Sequence, residues 1–511
     1  MKLLLSSIIS SQVCLNLVRD SVATGASYSV RVNPSHVMEA ALQSHRATTV
    51  DLVCDKLAIP GLTSFQLATL SLPSGLGGHG LRYLDTSYSH IAYVSSFLGA
   101  MPYCSDLIST SIAANIKLPS IAAFVASMNW IRSNIFAGLH QQDQRDHWLA
   151  VFPLDLSALF CQFSKTPVKR LQHKLTAIYD LDRYNSIHRG VAVPISPFAV
   201  KVNDQVIATP QDRARLNCLS GPYADTVMRV LPIDASRSLN DREMSVVFRL
   251  RNGLPPLSNM PRRCHNEGCG VLLSSDPWHS LSCLFERKRG LNNIHNSVVH
   301  DICRINNAAG LYSEYEPNVY GGSEAQPDRG GQPDLSVQLL DGAIVADFTR
   351  RHPTAPSHLA DAQIQGRVLA NASVAKATHH RAKAKASGFD YFTLAVSSFG
   401  DWDREAIDFL DLLSKAEANA AKSAHDIVEQ HVGERLGLLQ LDQPPDDWGD
   451  GSGDHYDNSL QRPTLFSALV CSSAMTLQRS QAFHVLSCLK RSKFTERRVD
   501  PSYGLADLGY I

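Results

Sequence analysis

No stretch of this chain holds the ~18–20 consecutive apolar residues that a membrane-spanning helix needs, so a bilayer is not expected among its partners. Net charge is lacking as well, with 48 basic residues balanced by 48 acidic ones. Such a chain cannot coat nucleic acid with its whole surface, and any basic patch must be local. A paired-cysteine framework is missing too. The eleven cysteines are odd in number, most stand alone, and only three cluster. That argues against a secreted disulfide scaffold. The opening, "MKLLLSSIISSQVCLNLVRDS", has the Lys and apolar run of a short signal peptide, but serines dilute the run and no convincing cleavage site follows. A nuclear or cytoplasmic location is expected rather than secretion.

The length of 511 residues suits roughly three domains, and an apolar content of 44% can bury real cores. Apolar runs such as "DLVCDKLAIP" and "HIAYVSSFLGAM", separated by turn-rich pieces, predict a mainly helical region over residues 1–204. Amphipathic segments predict a helical linker at 205–260. A Cys/His-bearing knuckle occupies 261–290. Residues 291–410 alternate helix, strand, strand, helix, strand and predict an α/β unit. The remainder, 411–511, reads as a helical tail interrupted by an acidic linker at 442–458. The expected class is multi-domain α+β with a mixed sheet flanked by helices.

The knuckle, "CHNEGCGVLLSSDPWHSLSC", sets out Cys264, Cys269, His279 and Cys283 in a compact loop. Three thiolates and one imidazole suit tetrahedral Zn²⁺, and a closed four-donor set implies a structural site. Gly268 and Gly270 flank Cys269 and let the backbone turn tightly. The competing reading is three buried thiols with a chance histidine. The basic flanks "PRR" and "ERKRG" could touch phosphate backbone.

"GQPDLSVQLLDGAIVADFT", Gly331 to Thr349, reads as a β-hairpin around an Asp341-Gly342 turn. With that turn, Ser336 faces Asp347 and Asp334 faces Thr349. Asp334 and Asp347 then become diagonal neighbours on one face, their Cβ atoms roughly 7–8 Å apart or less. Two carboxylates that close repel unless a positive charge sits between them, and a hard divalent cation, Mg²⁺ or Mn²⁺, fits. A solvated pair on a sheet surface is the alternative. Upstream, Glu314 and Glu316 share one strand face. Nucleases of the restriction-enzyme type pair such acids with a Lys two residues after the second one, near the scissile phosphate. That position is Thr349 here, so the following helix, Ala360 to Lys385, is expected to supply the lysine; Lys376 and Lys383 share a face there with His380, while Lys385 points nearly opposite. Between Arg350 and Lys385 there are seven Lys or Arg and one acid, Asp361.

These motifs stand in one order: the Cys-Cys-His-Cys knuckle, "HN" at His295-Asn296, "AG…EP" ending at Glu316-Pro317, "QPD" at 332–334, "DFTRRHPTAPS" at 347–357, the helix with Lys376, and "GFDYFTLAVSSFG" at 388–400. The series resembles the C-terminal region of non-LTR (LINE-type) retrotransposon polyproteins that carry a zinc knuckle and a restriction-like endonuclease. "LPSGLGGHGLR" and "RARLNCLSGPYADTVMRVLP" are similar to segments those polyproteins carry upstream of the knuckle. The resemblance implies a metal-dependent DNA endonuclease of the PD-(D/E)xK type. In it Asp334 and Asp347 would hold the metal, Glu316 would assist, and Lys376 would sit at the phosphate. It further implies nucleic-acid contacts from His295, Arg350, Arg351, His380 and Lys383. The helical first part would correspond to a post-polymerase region, its opening run to an internal helix of the parent. Three departures stand out. Ile294 replaces the family's Arg before "HN", His379-His380 replace its Lys-Tyr, and no Phe/Tyr-x-Asp-Asp polymerase motif occurs. The chain is therefore not a reverse transcriptase by itself. Its implied partners are target DNA, element RNA and a separate reverse transcriptase. The alternatives are a catalytically inactive zinc-containing nucleic-acid-binding remnant and a decayed product without a stable function.

Overall fold

Aromatic residues at helical spacing build the largest core of the first half. Helices Ser87–Ala113, Pro119–Ile131, Gln142–Val151, Leu156–Lys165 and Leu171–Arg189 close around Phe124, Phe136, Phe152 and Phe163. In the computed structural model the described residues are 9–22, 27–59, 61–81, 87–114, 118–139, 141–166, 168–189, 208–266, 268–283, 285, 290–320, 332–435 and 465–499. The acidic linker 442–458 and residues 1–8 of the apolar opening lie outside them. The rest of that opening forms helix Ser11–Leu17, and Cys14, Leu15 and Val18 share a core with Leu52, Met228, Val247 and Phe248. Local chemistry sets several helix starts. Thr63, Thr209 and Asn240 each accept from the backbone three residues on, and the side chain there bonds back.

Among the described residues from Asp241 onward there are five α-helices and four strands. They are α1 (Asp241–Arg251), α2 (Asn292–Ala308), β1 (Ser313–Tyr315), β2 (Leu335–Leu339), β3 (Gly342–Arg351), α3 (Arg367–Ala386), β4 (Asp390–Ser397), α4 (Arg404–Arg435) and α5 (Leu465–Val499). The sheet runs β1-β2-β3-β4, antiparallel across the first three strands and parallel between β3 and β4. The mixed sheet flanked by helices is thus present, in a molecule that is helical in most of its described length. One face, with Leu335, Val337, Ile344, Phe348, Leu394 and Val396, packs on α2, α4 and α5. The other packs Val345, Tyr391 and Ala395 on α3.

The hairpin register differs from the expected one. Leu339 pairs with Gly342, so Leu340 and Asp341 form the turn and Gly342, at φ 146°, opens β3. Gly342 goes there because that backbone conformation excludes residues with a Cβ. Each residue's partner moves by two, which keeps every side chain on its face. The pairing Leu335↔Ala346 continued by one residue sets Asp334 directly opposite Asp347 rather than diagonal to it. Helix α3 begins at Arg367, not Ala360; Asp361–Gln363 form a separate 3₁₀ turn and Gly366, at φ 75°, precedes the helix. β1 stops at Tyr315, because Glu316 has φ 45° and leaves the strand conformation.

Helix α5 crosses three cores. Leu465, Leu469 and Leu477 meet the sheet, Met475 meets the core of the opening helix, and Ala482, Val485 and Leu489 meet Leu273, Trp278 and Leu281 of the knuckle. Among the described residues no helix is long and apolar enough to cross a membrane.

Candidate functional site

The knuckle brings its four expected donors together. Their ligand atoms all lie within 4.8 Å of one another. Cys264 Sγ is 3.9 Å from Cys283 Sγ, Cys283 Sγ is 3.9 Å from Cys269 Sγ, and His279 Nε2 is 2.9 Å from Cys269 Sγ. Zinc–sulfur bonds of 2.3 Å at the tetrahedral angle put sulfurs about 3.8 Å apart, so this cluster fits a structural Zn²⁺. Gly270, at φ 68°, and a bridge between Arg263 and Leu272 fold the loop. His279 turns its other nitrogen, Nδ1, toward Asp276 at 3.4 Å, which aims Nε2 at the sulfurs. Asn266 Nδ2 adds donors at 3.6 Å to both Cys264 and Cys283. Of the basic flanks, Arg262 and Arg263 are described, whereas residues 286–289 lie outside the described residues.

The acids lie in one row across the sheet. Tyr315 pairs with Leu335, and the next backbone contact along is Glu316 N–H donating to Asp334 O at 2.9 Å. Asp334 is opposite Asp347 by the β2–β3 register, and Asp347 pairs with Thr393 on β4. The three side chains have different surroundings. Asp347 is 1% exposed. It takes Lys376 Nζ at 3.3 Å, Tyr391 Oη at 2.8 Å and His380 Nδ1 at 3.7 Å. Burial first, and the nearby Asp334 charge second, raise its pKa above the ordinary carboxylate range despite Lys376 and His380. Asp334 accepts the Phe348 N–H at 2.7 Å on one oxygen and meets His295 Nε2 at 3.1 Å with the other. Glu316 is exposed, and its carboxylate takes the Tyr315 hydroxyl at 2.9 Å. Among the described residues, no three acids converge as the four knuckle donors do.

A cleft of about 470 Å³ runs from the knuckle to His295 and Lys376, the partners of Asp334 and Asp347, without the acids themselves lining it. Leu281, Ser282 and Cys283 of the knuckle form one wall, and His295, Thr349, Arg351 and Lys376 line it toward the acids. Thr349 occupies the place where a strand-borne lysine would stand, and Lys376 reaches the acids from α3 instead. Arg350 also lines the cleft. It donates to Leu281 O at 2.9 Å, while its Nη1 is buried with no partner among the described residues. Burial lowers the Arg350 pKa to about 10. Arg351 is half-buried at the end of β3, and Lys383 lies over the Tyr320 ring, 4.9 Å from its centroid. Ile294 is buried in the sheet core, so the residue at that departure packs rather than binds. His379 is exposed; His380 stacks on Tyr391.

Two features were not read from the sequence. Tyr391 bonds Asp347, and the signal was strand parity: it stands two residues before Thr393, on the same face. His352 is buried with Nδ1 2.6 Å from Ser398 Oγ and Nε2 3.0 Å from Thr354 Oγ1. Burial lowers its pKa to about 3, so it stays neutral in the wall of the cleft. No family model matches the chain, and no curated protein matches it.

Two outcomes are expected. The full chain should carry one zinc ion, lost in Cys269→Ser, while Asp276→Asn should keep it with affinity weaker by about 10–100-fold; metal analysis and competition with a chelating dye measure both. The second concerns Asp347. Because folding raises its pKa, the folded chain holds more protons than the unfolded one from the unfolded value (about 3.9) up to the raised one. Its contribution to stability therefore falls as pH rises through that window. Asp347→Asn should then stabilise the protein at pH 7 in the absence of divalent cations, by about 0.5–2 kcal/mol, as changes at strained functional sites often do. Urea unfolding of both proteins measures this. Destabilisation would mean that the bonds from Lys376 and Tyr391 outweigh burial.

Proposed function

We propose that the chain is a metal-dependent DNA endonuclease derived from a LINE-type retrotransposon polyprotein, nicking one strand at a target site. The observation that carries this reading is the row of Glu316, just past the end of β1, Asp334, just before β2, and Asp347 on β3, with Lys376 on the buried member. The raised pKa of Asp347, from burial first and the nearby Asp334 charge second, also supports it, since a bound cation would offset both. Asp334 and Asp347 would hold the cation, with Glu316 assisting. When bound, Mg²⁺ or Mn²⁺ would supply Lewis-acid stabilisation of charge on the scissile phosphate.

The chain's own residues do the remaining work. His295 and the Phe348 N–H fix the two oxygens of Asp334. Tyr391 orients Asp347, and Lys376 offers a cation for the charge that develops on the phosphate. Arg351, half-buried at the end of β3, and the partly buried Arg350 give the cleft positive charge suited to the flanking backbone. The zinc knuckle supports the same reading as a wall of that cleft.

A second reading is favoured by one observation: the Glu316 carboxylate is turned to the Tyr315 hydroxyl. That arrangement suits a nucleic-acid-binding remnant with zinc and without cleavage. Purified full chain on supercoiled plasmid separates the two. The nuclease reading expects nicked circles with Mg²⁺ or Mn²⁺, reduced at least about 100-fold by Asp334→Ala and by Lys376→Ala. Salt-dependent binding without nicking, unchanged in Asp334→Ala, would favour the remnant.

A further inference from the structure

A second groove lies on the other side of the first turns of α2. Leu291, Asn292 and His295 line the cleft described above, while Asn293, Asn296 and His300 line a groove of about 760 Å³ between α2 and α5. The N-terminal turns of α2 are thus a ridge one helix wide between the two.

The far wall of the groove is the outer face of α5. Phe483 is 70% exposed there, although its neighbours Ala482 and Val485 are buried in the knuckle core. Arg479 stands one turn before it and Arg491 two turns after it, on the same face and in the same groove. Arg479 is fixed by donating to Ser238 O at 2.6 Å and Ala235 O at 2.9 Å. Arg491 donates to Cys488 Sγ at 3.2 Å. The single acid lining the groove among the described residues, Glu243, is engaged with the Asn240 N–H at the start of α1. Across from them, Asn296 offers an amide, and His300 stacks on Tyr315 with ring centroids 3.9 Å apart.

We infer that this groove binds single-stranded DNA, with Phe483 as a platform for one base and Arg479 and Arg491 beside the backbone. An exposed aromatic ring between fixed cations is the arrangement that non-specific single-strand sites use. Every base has a face to stack, whereas the bases of a duplex are already stacked on one another. The amide and imidazole of the opposite wall suit base edges. A strand leaving the cleft over the N-terminal turns of α2 would enter the groove directly. The inference therefore rests on the nucleic-acid reading of the cleft.

The test uses the full chain with Ca²⁺ in place of Mg²⁺, and fluorescein-labelled oligo(dT) of about 20 nucleotides, longer than the ~4–16 nucleotides one such site covers. Fluorescence anisotropy should show Phe483→Ala weakening binding by about 5- to 100-fold, with Phe483→Tyr restoring it. Arg491→Ala should lower the salt slope by about 0.7. An unchanged unfolding midpoint for Phe483→Ala, expected of so exposed a ring, separates lost stacking from lost fold. Equal oligonucleotide affinity for wild type and Phe483→Ala, or no binding by wild type, overturns the inference even if the plasmid is nicked. Phe483-dependent binding by a protein that does not nick sustains the groove and removes the nuclease reading instead.

Discussion

Asp347 sits on an inner strand of the sheet, out of water, with a second carboxylate, Asp334, opposite it just before β2. Burying a carboxylate costs several kcal/mol unless cations and hydrogen bonds surround it, and a neighbour of like charge adds to the cost. Much of the α/β half is arranged around that constraint. α3 brings Lys376 and His380, β4 brings Tyr391, and the first turns of α2 bring His295 to the neighbouring Asp334. These groups come from three separate elements, and each reaches the acids only if the sheet and its helices are packed. Even so, the Asp347 pKa remains raised, so these partners do not fully offset its burial and the Asp334 charge beside it. Such a site tolerates its anion best when a further cation arrives.

The Cys3His knuckle and the sheet are coupled through two contacts of different kinds. One is polar, from Arg350 of β3 to the carbonyl of Leu281. The other is apolar: Leu281, Leu273 and Trp278 share a core with α5, and the same helix also packs on the sheet and on the opening helix of the chain. α5 therefore holds the knuckle at a set distance from the acids, and the cleft between them keeps its width as long as that helix is seated.

Much of this was legible in the sequence because it depends on short-range rules. Spacing alone grouped Cys264, Cys269, His279 and Cys283, and period-two alternation put Asp334 and Asp347 on one face. What escaped depends on backbone preference or long-range packing. Asp-Gly looked like the centre of a turn, but Gly342 took a conformation open only to glycine and shifted the turn to Leu340-Asp341. The helix carrying Lys376 starts seven residues late because Gly366 adopts a left-handed conformation before it. Tyr391, the His352–Ser398 pair and the reach of Arg350 to the knuckle join segments tens of residues apart. No local pattern announces such pairs.

The central claim is that the row of acids is a cation site. Crystals of the full chain grown with Mn²⁺ and measured for anomalous scattering test it most directly. The account predicts a peak between Asp334 and Asp347, separate from the zinc peak at the knuckle, with Lys376 moved off Asp347. A map with the knuckle peak alone, and Lys376 still on Asp347 in saturating Mn²⁺, would contradict it.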